Sequence, residues 1–412
     1  MDNNFQPEYV SFKKDAYIFV EGNQNNGYFF IIQQGKVRIS IEMTTGGDRN
    51  EVLGPGDFIG VVSVMAAQSQ IETAMALTDL ILIKVYRNQY TGLIQANAPV
   101  AMKIIMQFSK RLRYLNESLA QLTLNDVAPS GPSHLYTVAE YYFNHKKYAQ
   151  AFYCYTKYVT FCPQGDKIPQ VEEKLEKISN LIQDPKPEFE GTKLNRNYQK
   201  NDMLFAEGEP GHELFIIQKG SVKITKIVDN KESILAILKI GDIFGEMGLL
   251  ENKPRIASAV AYEDCSVMVI DKVNFEQLIH SQPQLVDKIT TILADWIWFI
   301  YKKLANAFIT DPVGRVYDAL HIQLEKNRVP LDGSFNQPFY TFNFAWSELL
   351  GMVGLTGEQN NPLLAKMTKS SKIQIAGDKI HVTSVMEIAR QAKYYQKMSR
   401  RDRFKQQTKN LQ

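Results

Sequence analysis

The run Phe244-Gly245-Glu246-Met247-Gly248-Leu249, followed shortly by Pro254-Arg255-Ile256-Ala257, decides how this chain reads. A glycine-rich turn here opens a short helix. The free N–H groups and positive dipole end of such a helix suit a phosphate. Glu246 supplies an acceptor for a sugar hydroxyl, and Arg255 a planar, always-charged fork for phosphate oxygens. The bland alternative is a solvated Glu and a surface Arg beside a strand turn, and the flanking pattern speaks against it. Met203-Leu204-Phe205, Glu207-Gly208, Leu214-Phe215-Ile216-Ile217, Gly220 and Val222-Lys223-Ile224 lead in, then Ile234 to Leu238 and Gly241-Asp242. Short apolar and β-branched runs punctuated by Gly and Asp predict a compact antiparallel barrel. Ala257 to Val260 and Ser266 to Ile270 read as its closing strands. Several short strands must pack together, because one strand pair buries too little.

On these residues the segment resembles the phosphate-binding cassette of the cyclic-nucleotide-binding domain family. The resemblance implies a β-roll and a ligand set of Phe244, Gly245, Glu246, Met247, Pro254, Arg255, Ile256 and Ala257. It implies a cyclic nucleotide as effector, with cyclic AMP and cyclic GMP as first candidates and a cyclic dinucleotide as the next. In the family a long helix after the barrel contacts the base, and counting forward places Ile300 and Tyr301 there. A hydroxyl pair suited to adenine is absent, so the base is not fixed.

The same pattern occurs near the N-terminus. Ile18-Phe19-Val20-Glu21-Gly22 echoes Leu204-Phe205-Ala206-Glu207-Gly208, and Gly56-Asp57-Phe58-Ile59-Gly60 echoes Gly241-Asp242-Ile243-Phe244-Gly245. Laid together, the cassettes place Val61 at Glu246 and Gln70 at Arg255. The first copy keeps the barrel and loses both charged groups, so an anion there lacks a charge-assisted partner. Two readings stay open for it. One is a structural or dimerising barrel. The other is a pocket for a different ligand, lined by Ser63, Gln68, Gln70 and Thr73.

A chain of 412 residues accommodates several domains. No run approaches the ~18 apolar residues of a membrane span, and no signal peptide is visible at Met1-Asp2-Asn3-Asn4, so a cytoplasmic protein without membrane insertion is expected. Cys154, Cys162 and Cys265 are odd in number and have no paired metal spacing, and Cys154 and Cys162, in an aromatic helical stretch, read as buried thiols. No metal is expected. The six histidines show no metal spacing and no nucleophile–base pair stands out, so an enzyme is not expected.

Ala98 to Leu124 and Leu285 to Phe308 carry apolar residues at helical spacing. The family resemblance makes such helices a dimer seam, and a homodimer is expected. Between the barrels, Ser133 to Pro163 resembles a single tetratricopeptide repeat, with Leu135, Val138, Ala139, Tyr142, Tyr148, Ala151 and Tyr155 at its positions. One repeat cannot build a solenoid, so it reads as a helical hairpin packed on a neighbour. Val171 to Ile182 reads as a further helix.

After the second long helix, Asp311-Pro312-Val313-Gly314-Arg315 is similar to the hinge of the Crp–Fnr family of transcription regulators. A helix over Phe344 to Val353, a turn at Gly354, a second helix from Thr356, and a β-wing over Ile373 to Val382 follow in the order of that family's winged helix-turn-helix. The resemblance implies contact with DNA by Thr356, Glu358, Gln359, Lys366 and Lys369. It departs from the family where Gly357 and Pro362 stand in place of base-reading arginines. Phosphate contact without sequence reading, or a surface for a protein partner, remain the two options. From Arg390 onward the chain is strongly basic, with Arg400 and Arg401 at its centre. It suits a polyanion such as DNA, or reads as a solvated end.

The expected fold is α+β. It comprises a degenerate β-roll (jelly-roll) with its long helix over 1–125, a helical linker over 126–187 and a second cyclic-nucleotide-binding β-roll with its helix over 188–308. A winged helix over 309–388 and a basic tail over 389–412 complete it. The expected function is a cyclic-nucleotide sensor whose second barrel controls the winged helix. The alternative is a scaffold that uses barrels, hairpin and winged helix as docking surfaces.

Overall fold

The computed structural model describes residues 7–41, 51–124, 131–182, 190–191, 194–228, 230–245, 254–331, 339–355, 367, 372–377 and 379–410. The first barrel comprises β1 (Glu8–Phe12), β2 (Tyr17–Phe19), β3 (Tyr28–Gln34), β4 (Val37–Ser40), β5 (Glu51–Leu53), β6 (Phe58–Ile59), α1 (Val61–Met65), β7 (Thr73–Ala76) and β8 (Leu80–Tyr86). Helices α2 (Tyr90–Ala96) and α3 (Ala98–Leu124) follow it. Its strands form two antiparallel sheets, ordered β1-β8-β3-β6 and β2-β7-β4-β5. A helical segment comes next, of α4 (His134–Asn144), α5 (Tyr148–Phe161) and α6 (Ile168–Ser179).

The second barrel runs through β9 (Glu190–Gly191), β10 (Asn195–Tyr198), β11 (Met203–Phe205), β12 (Glu213–Lys219), β13 (Val222–Val228), β14 (Lys231–Leu238), β15 (Ile243–Phe244), β16 (Ser258–Ala261) and β17 (Cys265–Asp271). It leads into α7 (Lys272–Ser281) and α8 (Pro283–Ala307). Its sheets are ordered β9-β10-β17-β12-β15 and β11-β16-β13-β14, the first barrel's order with β9 added at one edge. Even the irregularities repeat. β3 shifts register on β8 between Ile32 and Gln34, and β12 shifts on β17 between Ile217 and Lys219. Gly35 and Gly220 sit just beyond with positive φ, where a Cβ would lie 2.5 Å from the Asp79 carbonyl or 2.2 Å from that of Asp264. Only glycine fits this turn.

The long helices share one core. On α3, Ala101, Ile104, Ile105, Phe108, Leu112 and Leu115 are buried, and on α8 Val286, Ile289, Leu293, Ile297, Ile300 and Leu304. This spacing gives each helix one apolar stripe. The stripes meet each other within the chain, and the core extends into both barrels through Phe58 and Val61 on one side and Leu214 and Ile270 on the other. Each long helix also packs on the other barrel's short helix, α3 on α7 and α8 on α2. At the second of these contacts the Arg87 guanidinium lies 2.8 Å from Asp287, and the Tyr90 and Thr290 hydroxyls are 3.0 Å apart. The seam expected between two chains of a homodimer is therefore filled inside one.

The helical segment docks on the second barrel. Tyr141, Tyr142, Cys154, Tyr155 and Tyr158 are buried in a cluster with Met203, Ala206 and Val260. Polar contacts surround it. Gln150 donates to the Asn201 carbonyl at 2.8 Å, and Lys147 pairs with Glu232 at 2.5 Å. The aromatic density of this stretch thus serves packing.

The C-terminal unit comprises α9 (Pro312–Lys326), β18 (Tyr340–Phe342), α10 (Trp346–Met352), β19 (Ile373–Ala376), β20 (Lys379–Val382) and α11 (Val385–Asn410). The strands form an antiparallel sheet in the order β18-β20-β19. The Asp311 carboxylate caps α9, accepting from the Val313 N–H at 2.7 Å, and Pro312 occupies the first turn. Arg315 closes the end of α8 by donating to the Ile309 and Ala307 carbonyls at 2.8 and 3.0 Å. The basic segment that reads as a tail from 389 belongs to α11. Ile388, Ala389 and Ala392 are buried, and Tyr395 lies so close to Gly314 that a Cβ there would sit 2.7 Å from it. An apolar stripe straddling the start of the basic run overrides its charge.

Replacing Leu293, fully buried in the seam, with Ala should cost about 2–5 kcal/mol. Because the seam is intramolecular, denaturant melts should show that loss unchanged across protein concentrations. A loss that grows on dilution would place the seam between chains.

The junction of α8, α9 and α11 carries opposed titrations. Burial pushes Asp318 up to about 6, against hydrogen bonds from Asn306 and Gln396. Burial holds His321 down to about 4, with Glu325 pulling upward and Lys302 and Lys393 downward. Asp318's folded value lies above its unfolded value of about 3.9, so its contribution is complete below that pH and lost as pH rises through about 6. For His321 the sign is reversed, and stability present above about 6.5 is lost as pH falls toward 4. Asp318→Asn removes the first effect and exposes the second. Relative to the parent, the variant should lose on the order of 3 kcal/mol between pH 6.5 and 4. Parallel stability–pH curves for the two proteins would contradict this.

Candidate functional site

The site is built where β15 ends. Gly245 has φ +75° and turns the chain out of the strand, as Gly60 does with φ +79° in the first barrel. Phe244 is 2 % exposed and stacks on Phe215 with ring centroids 5.1 Å apart, so it anchors the turn from inside the barrel. The chain returns through Pro254, which bridges to Pro210, and then Arg255. The Arg255 N–H donates to the Glu209 carbonyl at 2.8 Å, and its own carbonyl accepts from Gly208 N–H at 2.8 Å. Ser258 Oγ accepts from Glu207 N–H at 2.9 Å.

Arg255 is 6 % exposed. One terminal nitrogen donates to the Gly245 carbonyl at 2.6 Å and the other to the Glu213 carbonyl at 2.9 Å. Its guanidinium carbon lies 4.3 Å from the centre of the Phe205 ring. Gly211 makes room for it, since a Cβ there would sit 2.1 Å from Nε. The fold thus holds a permanent cation at the foot of the glycine turn, in a setting of low dielectric where its interaction with an anion is strong.

Of the residues the sequence singles out, the structure brings together Phe244, Gly245, Pro254, Arg255, Ile256 and Ala257. Glu246 and Met247 lie outside the described residues, as do Thr356, Glu358, Gln359, Lys366 and Lys369. Ile300 and Tyr301 do not join this group. Ile300 is buried in the shared core, and the Tyr301 hydroxyl donates to Glu21 of the first barrel at 2.6 Å. Helix α8 packs on α1 of the other barrel. Arg401 is exposed on α11, whereas Arg400 reaches within 3.9 Å of Glu21.

Sequence reasoning missed the acidic turn beneath the cassette. Glu207 lies 3.3 Å from His134, and the Glu209 carboxylate accepts from Tyr153 at 3.0 Å and lies 3.4 Å from Lys157. Burial raises the Glu209 carboxyl above its ordinary range, opposed by Lys157, the Ala206 N–H, Arg255 and Tyr153. The helical segment therefore touches the turn whose backbone holds Arg255. Its one sequence signal is the Glu-Gly pair recurring at 21–22 and 207–208.

The first barrel reproduces this frame with different side chains. Gly22 N–H donates to the Gln70 carbonyl at 2.8 Å, and Thr73 Oγ1 accepts from Glu21 N–H at 3.0 Å. Gln70 therefore stands at the place of Arg255, and Thr73 at that of Ser258. Ser63 accepts from Ile71 N–H at 3.3 Å, and Gln68 donates to the Glu325 carbonyl of the C-terminal unit at 3.3 Å.

The family described as the cyclic nucleotide-binding domain matches residues 9–97 and 195–282. Each of these two matched stretches covers most of one barrel. Similar curated proteins include a CRP-like cAMP-activated global transcriptional regulator of Mycobacterium tuberculosis, 28 % identical over 198 residues, covering 48 % of this chain and 87 % of that protein. The cAMP-activated global transcriptional regulator CRP of Salmonella typhimurium is 33 % identical over 125 residues, covering 30 % of this chain and 60 % of its own length. A crystal structure of the Thermus thermophilus catabolite activator protein aligns with 50 % of this chain and 92 % of its own, at 23 % identity and a TM-score of 0.27. Among the described residues no helix is long and apolar enough to cross a membrane, and no cluster of His, Cys, Asp or Glu could hold a metal ion.

Proposed function

We propose that this chain is a cyclic-nucleotide sensor that binds its effector in the second cyclic nucleotide-binding domain. The reading rests on one observation above all: Arg255 reaches back to the Gly245 carbonyl at 2.6 Å. This sets the cation beside the turn that opens the cassette. The phosphate of a cyclic nucleotide takes the Arg255 fork and the backbone N–H groups after Gly245, and Glu246 takes a ribose hydroxyl. Phe244 and Gly245 set the turn, Met247 continues the cassette, and Pro254, Ile256 and Ala257 hold its return.

The output unit in this proposal is a winged helix. Its support is the order α9, β18, α10, then the β19–β20 hairpin and α11. The relatives from M. tuberculosis and S. typhimurium are named as transcriptional regulators, and we extend that role to this chain. One chain carries two barrels and one such unit, so a palindrome with two half-sites takes two chains. Ligand shifts the placement of the unit by its differential affinity for the two states. A role as a protein scaffold is the second reading. The contacts of Gln68 with Glu325 and of Arg400 with Glu21 favour it, because they engage the C-terminal unit inside the molecule.

Arg255→Ala should weaken cyclic AMP or cyclic GMP binding by roughly 1.5–3 kcal/mol in calorimetry, and Glu246→Ala by a comparable amount. Unchanged affinity in both variants would refute the site. If the winged helix binds DNA, Lys366→Glu with Lys369→Glu should weaken all duplexes alike and flatten the logarithmic salt slope by about 0.9 per lost phosphate contact. Loss confined to one sequence would instead mean that these residues read bases.

A further inference from the structure

The first barrel carries an anion of its own. Gln70 matches Arg255 through the same main-chain bond and Thr73 matches Ser258 through the same hydroxyl acceptor, so Glu72 stands where the second barrel has Ala257. Glu72 is 5 % exposed. One carboxylate oxygen lies 2.7 Å from Nη1 of Arg111 on α3, and the other accepts from the Gly60 N–H at 3.5 Å. Gly60 is the counterpart of Gly245, so the carboxylate contacts the same turn that the second barrel offers to a phosphate. The remaining space, walled by Ile39, Ile41, Leu53, Phe58, Val62 and Phe108, is about 30 Å³, room for about one water. A nucleotide does not fit beside Glu72.

We propose that Glu72 is a built-in substitute for the anionic ligand of the first barrel, holding α3 closed on that barrel through Arg111 with no effector bound. The cation has moved from the cassette to the long helix, and the anion from the ligand to the cassette. Both atoms of the Gln70 amide, and the second terminal nitrogen of Arg111, are buried without a hydrogen-bond partner among the described residues. The closed barrel is also the anchor for the rest of the molecule. Glu21 receives the Tyr301 hydroxyl from α8 and lies 3.9 Å from Arg400 of α11. One half of the pair is thereby fixed, and ligand acts on the other half alone. This inference rests on the reading of the second barrel as an anion site, which supplies the template.

The test is chemical rescue in the full chain, with Arg255→Ala present so that the second site is silent. Hydrogen exchange of the α3 amides over residues 104–112 is the readout. Glu72→Ala should raise their exchange at least about tenfold. Sodium acetate should restore protection, whereas sodium chloride at equal ionic strength should not. The double variant Glu72→Ala/Arg111→Met should not respond to acetate. Should the alanine variant fail to fold, Glu72→Gln keeps the shape, removes the charge and should show the same acceleration. Exchange unchanged by loss of Glu72, or equal acetate protection with and without Arg111, would overturn the inference. Nucleotide binding at the second site is measured separately with Arg255 intact, so a failure there is distinguishable.

Discussion

Everything in this molecule depends on the burial of two apolar helix stripes against each other. Neither α3 nor α8 can stand in water with Ile105, Phe108 and Leu112, or Leu293, Ile297 and Leu304, exposed. In one chain the partner is always present, at an effective concentration set by the connecting segment instead of by the amount of protein. The covalent link fixes the two barrels as a pair. It also frees one of them from having to recognise a ligand in order to keep the pair together.

The two copies have used that freedom unequally. Their frames are the same down to the register shifts and the main-chain bonds around Gln70 and Arg255. Their charges are not. One holds a cation beside the glycine turn, and the other holds a carboxylate there and finds its cation on the long helix. A single C-terminal unit is attached to this unequal pair. It leans on the first barrel through Gln68 and Glu21 while its hinge continues from the helix that follows the second. Under the proposed function, a ligand in the second barrel acts on α8, which both barrels grip.

Much of this was legible in the sequence. Short apolar and β-branched runs with glycines at matching offsets revealed both barrels, and helix α3 spans the predicted Ala98–Leu124. What was not legible is of one kind. An apolar stripe says that it must be covered, not whether the cover lies in the same chain, so the seam read as a dimer contact. Tyr301 meets Glu21 across 280 positions, a distance no local pattern reports. Glu72 stands in the aligned repeat, but at neither of the ligand-charge positions, Val61 and Gln70. Its meaning needs Arg111, which lies on another element. The basic run from Arg390 concealed the buried Ile388, Ala389 and Ala392, because composition averages over a helix that has two faces.

Functional asymmetry between the two barrels of one fold can be read from calorimetric titration of the intact chain with cyclic AMP and with cyclic GMP. Saturation at one molecule per chain is expected for the nucleotide that binds. Saturation at two equivalent sites per chain would contradict it, because a nucleotide would then occupy the barrel that Glu72 and Arg111 close.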